Sequence, residues 1–166
     1  MAKKKPSIDR EWIVAQFSRG IDAERALEAD ALATAKSPPD PSLAVLYNQI
    51  AEEDKRHGGI IETIATRYGY LPTSASGGGL TGTLGRLKEA MTEMGSTPQQ
   101  RLEHDLAAKA SSIHWATAWV FAFGQVGDAA SAGEMATVLN EEKAHHDALQ
   151  QGLNLLLTRG AQGSHG

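Results

Sequence analysis

Two stretches of this chain, Asp54-Lys55-Arg56-His57 and Glu142-Lys143-Ala144-His145, set a carboxylate and an imidazole three residues apart inside an apolar helical stripe. Residues three apart share one face of a helix. The first stripe runs through Leu43, Leu46, Tyr47, Ile50, Ile61, Ile64 and Tyr68, and the second through Met135, Val138, Leu149, Leu153 and Leu156. In each, the acid and the histidine take two consecutive core positions. A buried carboxylate is costly unless it is paired or bound to a metal. The chain must therefore fold so that these two helix faces satisfy each other, or satisfy something held between them.

The rest of the sequence supplies the helices for such a fold. From about Asp9 to Lys36 the chain is Ala-rich, with Gly20 as its one glycine, and alanine is the best helix former. Ser37-Pro38-Pro39-Asp40-Pro41 ends this helix. The second helix, about Ser42 to Tyr68, begins at once, so it should return antiparallel. Gly69 reads as its C′ residue. Gly58-Gly59 inside it is a local conflict, which a break, a π-bulge or close helix packing would explain. The segment from Leu71 to Thr97 holds a Gly-rich run and then Leu84, Leu87, Met91 and Met94, the pattern of a short amphipathic helix. The third helix starts at Thr97, with Pro98 next and Gln100 completing a capping box, and stops near Gly124. Its stripe reads Leu102, Leu106, Ala110, Ile113, Thr117 and Val120. The fourth spans about Ser131 to Leu157, with Ser131-x-x-Glu134 as a second capping box. Strand alternation and βαβ units are lacking. The short, long, short order of connections predicts an all-α fold, a ferritin-like antiparallel four-helix bundle whose long crossover carries a short extra helix. Residues 9–158 should form it. Residues 1–8, with Lys3-Lys4-Lys5, read as a flexible basic tail, and 159–166 as a disordered one.

Composition narrows the function. The chain has 166 residues, a length for one domain, and no cysteine. Disulfides, thiolate nucleophiles, Fe–S clusters and Cys-based zinc sites are thereby excluded. A net charge of −4 offers no basic face for nucleic acid. Trp115, Trp119, Phe121 and Phe123 in the third helix lack basic neighbours, so they read as core or dimer packing. Gly77-x-Gly79-x-x-Gly82 matches a dinucleotide fingerprint in letters only, since no strand precedes it. No apolar run approaches the ~18–20 residues of a membrane span, and the start lacks the apolar stretch of a signal peptide. The expected address is the cytoplasm.

A metal site must then be built from His, Asp and Glu. The ferritin-like pattern asks for acid-x-x-His on two helices and one Glu on each of the others. Asp54, His57, Glu142 and His145 fill the first requirement; Glu24 and Glu103 fill the second. Such a site suits two Fe or Mn ions roughly 3.5–4 Å apart, with Zn as a substitute. Its partners would be metal ions and a small oxidant, O2 or H2O2. Glu28 competes with Glu24, Glu53 with Asp54, and His146 with His145. His104 and His114 read as satisfied or exposed. The alternative is a metal-free structural bundle whose polar core fixes helix register.

The chain resembles the ferritin-like stress-associated proteins of the YciF-like group. The likeness lies in Asp22-Ala23-Glu24-Arg25-Ala26-Leu27, Glu52-Glu53-Asp54, Arg101-Leu102-Glu103-His104 and Leu139-Asn140-Glu141-Glu142-Lys143-Ala144, in that order and spacing. It implies a ferritin-like bundle, a homodimer, a di-metal site and a stress-linked role. By it, Glu24, Glu53 or Asp54, Glu103 and Glu142 match the family's acidic positions. The chain departs from it at His57 and His145, where many relatives are expected to carry Gln or Thr.

Overall fold

The computed structural model describes residues 8–71 and 95–163. They form an all-α bundle of four long helices: α1 (Arg10–Lys36), α2 (Ala44–Arg67), α3 (Pro98–Gln125) and α4 (Ala129–Gly163), with one 3-10 turn at Pro41–Leu43 before α2. Among the described residues there is no strand, and no helix is long and apolar enough to cross a membrane. The basic N-terminal lysines, the Gly77 motif and the short helix expected near Leu84–Met94 lie outside the described residues.

Local chemistry sets most helix ends. Asp9 caps α1, accepting from the Trp12 amide. Thr97 and Gln100 form the capping box expected at the start of α3. Gly69 closes α2 with φ +79. The Tyr70 and Gly69 amides return to the carbonyls of Ala65 and Thr66, a Schellman arrangement that a positive φ makes possible. The start of α4 differs from expectation. Asp128, not Ser131, is its cap, accepting from the Ser131 amide at 3.0 Å and the Ser131 hydroxyl at 2.6 Å. Glu134 instead pairs with Arg67. The far end of α4 runs to Gly163, past Leu157. The Gly58-Gly59 pair leaves α2 unbroken. Gly58 is buried against α1, where an added Cβ would lie 3.7 Å from that of Glu24, and Gly59 faces open space.

The helices pair as two hairpins, α1 with α2 and α3 with α4. Across the bundle α2 meets α4 antiparallel, through Arg56–Glu141 near mid-helix and Arg67–Glu134 further on. Between α1 and α3, a Cβ on Gly20 would come within 2.5 Å of the Trp115 ring. To admit a side chain there, something would have to shift. Diagonally, α2 and α3 bring Tyr47 to Asp105 and Asp54 to Lys109, so α2 and α3 run parallel.

The core is layered along the bundle axis. One apolar layer contains Ile13, Phe17, Ile61, Trp119, Phe123 and Met135, with the Phe17 and Trp119 rings stacked at 5.1 Å. The other is aliphatic, built on Leu43, Ile50, Leu102, Leu106, Leu149 and Leu153. Between them lies a layer of buried polar and charged side chains.

Candidate metal centre

Helical spacing builds this polar layer. On α2, Asp54 and His57 continue the face of Ile50 and Ile61; on α4, Glu142 and His145 continue that of Val138 and Leu149. Glu24 enters from α1 one turn after Ile21, and Lys109 enters from α3. Glu24, Asp54, His57, Glu142 and His145 are all buried, at 0–3% exposure, and Lys109 at 4%. Five of the six expected ligands therefore reach one layer.

The outer ends of the two histidines are held crosswise. His57 Nε2 donates to Glu141 on α4 at 2.6 Å. His145 Nε2 makes the matching short bond to Glu53 on α2. The inner Nδ1 atoms face the Asp54–Glu142 pair. His57 Nδ1 lies 3.0 Å from Glu142 and 3.8 Å from both Asp54 and Glu24. His145 Nδ1 lies 3.9 Å from Asp54 and 3.8 Å from Glu142 and has no hydrogen bond. A metal-binding histidine characteristically gives its other ring N–H to a carboxylate, which fixes the tautomer and the ring. Glu141 and Glu53 are placed for that role.

Lys109 fills the other side. Its Nζ donates to Asp54 at 2.7 Å and lies 3.0 and 3.1 Å from the two Glu142 oxygens. Both oxygens of Glu24, by contrast, are buried without a hydrogen bond.

The electrostatics follow these contacts. Burial, with the charges of Glu142 and Asp54, pushes Glu24 up to about 8. Burial likewise raises Asp54 to about 7. Glu142 falls to about 2, because the bonds from His57 and Lys109 outweigh the cost of burying its charge. His57 sits above the usual histidine range: burial opposes its charge, and the bonds to Glu142 and Glu141 prevail. His145 sits below it, through burial and then the charge of Lys109. For Lys109, the carboxylates Asp54 and Glu142 more than offset burial, and its pKa is raised.

One ligand atom each from Glu24, Asp54, His57 and Glu142 lies within 4.8 Å of all the others. Three carboxylates and one imidazole are a donor set for a divalent ion such as Fe(II), Mn(II) or Zn(II). The residues fit one such ion, and the two orphaned Glu24 oxygens are the observation that shows it. A cavity of about 20 Å³ beside Lys109, Asp54, Asp105 and Tyr47 has room for about one water.

Glu103 is not brought to the layer. It is exposed on α3 and accepts from Gln99 at 2.8 Å. The buried face of α3 is Leu102, Asp105, Leu106, Lys109, Ser112, Ala116 and Trp119. The expected stripe is thus off by part of a turn: Ala110 and Thr117 face solvent. Among the alternatives, Glu28 is half-buried outside the cluster, Glu53 is the outer partner of His145, and His146 lies beside Asp147 at the surface. Sequence reasoning missed Lys109, the Glu141 contact, and a buried bond from the Tyr47 hydroxyl to Asp105. Lys109 had a signal, a lone charge three residues beyond Leu106.

No protein-family model, curated protein or solved structure matches the chain. The polar layer therefore carries the functional argument.

Proposed function

We propose that this chain is a ferritin-like metal–carboxylate protein, akin to the YciF-like group, that holds iron or manganese in its polar layer and reacts there with O2 or peroxide under stress. The observation that carries the reading is Glu24, a buried carboxylate with no hydrogen bond, facing Asp54, His57 and Glu142. Without a cation this arrangement leaves a polar group desolvated for no return. The parallel course of α2 and α3 supports the ferritin-like topology, in which one long crossover joins those helices. A cytoplasmic homodimer belongs to the same proposal.

When bound, iron or manganese would supply the electrons that reduce the oxidant. The chain's own groups do the rest. Glu24, Asp54 and Glu142 supply negative oxygen donors. His57 would bind through Nδ1 as a neutral ring, with Glu141 keeping the remaining proton on Nε2. The apolar layers on either side keep bulk water from the centre.

Elemental analysis of protein purified without chelator should find bound metal. Anaerobic loading with Fe(II), followed by O2 or peroxide, should give oxidation faster than in buffer. Absence of both results ends the reading.

A second reading has its own support. Lys109 bridges Asp54 and Glu142 without any metal, as a structural polar core would. Replacing His57 and His145 together by Gln separates the two. Loss of metal and of stress protection favours the metal centre, and survival of both favours the structural core.

A further inference from the structure

The motif on α2 and its counterpart on α4 are related by a near-twofold arrangement. Glu53, Asp54 and His57 on one helix match Glu141, Glu142 and His145 on the other. The His57 and His145 rings lie 6.1 Å apart on either side of the Asp54–Glu142 pair, with their planes 28° from parallel. A pair of equivalent metal positions would need a matching acid from each flanking helix. On one side α1 provides Glu24. On the other, α3 provides an ammonium.

We infer that the centre takes a single divalent metal ion, bound by Glu24, Asp54, His57 and Glu142, and that the Lys109 ammonium stands where a second ion would bind. The inference rests on the metal-binding reading above and narrows it.

Three observations carry it. Lys109 Nζ lies 2.7 Å from Asp54 and 3.0 Å from Glu142, so it already neutralises the two carboxylates that two ions would share. An ammonium has three donors and no lone pair, so it cannot ligate. Its charge also repels a cation arriving beside it. The acids that α3 does carry nearby are used elsewhere: Asp105 accepts from Tyr47, and Glu103 faces solvent. The charges also match. Glu24, Asp54 and Glu142 carry three negative charges when ionised, and Lys109 carries one positive. With both histidines neutral the remainder is −2, which one divalent ion cancels and two would exceed. His145 then stays outside the coordination sphere, since the ligand atoms that lie close to one another are those of Glu24, Asp54, His57 and Glu142.

The test is a Mn(II) titration of the chelator-stripped full chain. Bound metal is counted after gel filtration, and the EPR spectrum is recorded. The wild type should bind one Mn(II) per chain with the spectrum of an isolated ion. Lys109→Glu restores an acid at that position and should bind two, with a spin-coupled spectrum. Two coupled ions in the wild type overturn the inference and leave the metal-binding reading standing. No bound ion in the wild type removes that reading itself. One ion in both proteins overturns the role given to Lys109. Lys109→Gln keeps the test decisive where K109E does not fold. Freed of the competing ammonium, it should bind its ion at least about ten-fold more tightly, and an unchanged affinity overturns the inference.

Discussion

The two sides of the polar layer begin from the same local chemistry and end in different states. On α2 and on α4, an acid and a histidine three residues apart enter the core, and a neighbouring glutamate reaches across to the other helix's histidine. The flanking helices break the likeness. Glu24 from α1 gives the His57 side a third carboxyl group with two orphaned oxygens. Lys109 from α3 neutralises Asp54 and Glu142 beside His145, whose Nδ1 has no hydrogen bond. The histidines respond in opposite directions, His57 raised and His145 lowered. What a buried acid–histidine pair can do is decided by the third helix packed against it.

The largest expected effect breaks the paired side. Lys109→Met removes the ammonium and leaves Asp54 and Glu142 facing each other unneutralised. Breaking a buried pair by deleting one partner costs about 3–5 kcal/mol. Urea unfolding in chelator should show that loss, and added divalent metal should recover part of it. A midpoint unchanged in chelator would mean that Lys109 does not neutralise the pair.

Glu24→Gln tests the open side, and its sign is opposite. Glu24 in the metal-free protein holds its proton up to about 8, against an ordinary value of 4.5. Between those values the folded state binds more protons than the unfolded one, so stability falls as pH rises through that window. Below it both states are protonated and the effect vanishes. The chelated wild type should therefore lose stability from pH 4.5 towards pH 8, by about 4 kcal/mol, relative to Glu24→Gln. The same variant should bind metal far more weakly. Parallel pH profiles for the two proteins would contradict the burial assigned to Glu24.

The outer glutamates sharpen the comparison further. Removing a carboxylate that orients a metal-bound histidine typically costs 10–100-fold in affinity, by the general rule for such partners. Glu141→Gln should show a loss of about that size in a metal titration, because Glu141 holds His57. Glu53→Gln, whose one histidine contact is with His145, should change affinity less than about three-fold, well short of that range. Equal losses would make the two sides equivalent.

The parts of this layout legible in the sequence are those set within a few residues. An i, i+3 spacing places Asp54 with His57, and Glu142 with His145, whatever the helices pack against. The Thr97 capping box and the Gly69 terminus are local in the same sense. The phase of α3 was not legible. Ala107, Ala108 and Ala110 surround the decisive turn, and alanine fits a buried or an exposed face equally well. The apolar pattern therefore could not choose between the face carrying Glu103 and that carrying Lys109. The crossed bonds His57–Glu141 and His145–Glu53 depend on the register of α2 against α4, which only tertiary packing sets. Asp128 took the cap from Ser131 because both are good N-cap residues three apart, and the chain turns at Gly127 with φ +76.

The smallest effect probes how much room the Glu24 side has. Gly58 and Gly59 are adjacent in α2, but only Gly58 faces Glu24. Glycine in a helix interior costs about 1 kcal/mol relative to alanine. Gly59→Ala meets nothing within 4 Å, so it should raise stability by about that amount. At Gly58 the new methyl would sit 3.7 Å from the Glu24 Cβ, an ordinary contact, so Gly58→Ala should stabilise to a similar extent. Thermal unfolding of both variants in chelator checks this. A loss at Gly58 beside a gain at Gly59 would mean that α1 and α2 are packed too tightly around Glu24 to admit one methyl. The open side of the layer would then be open in charge but closed in space.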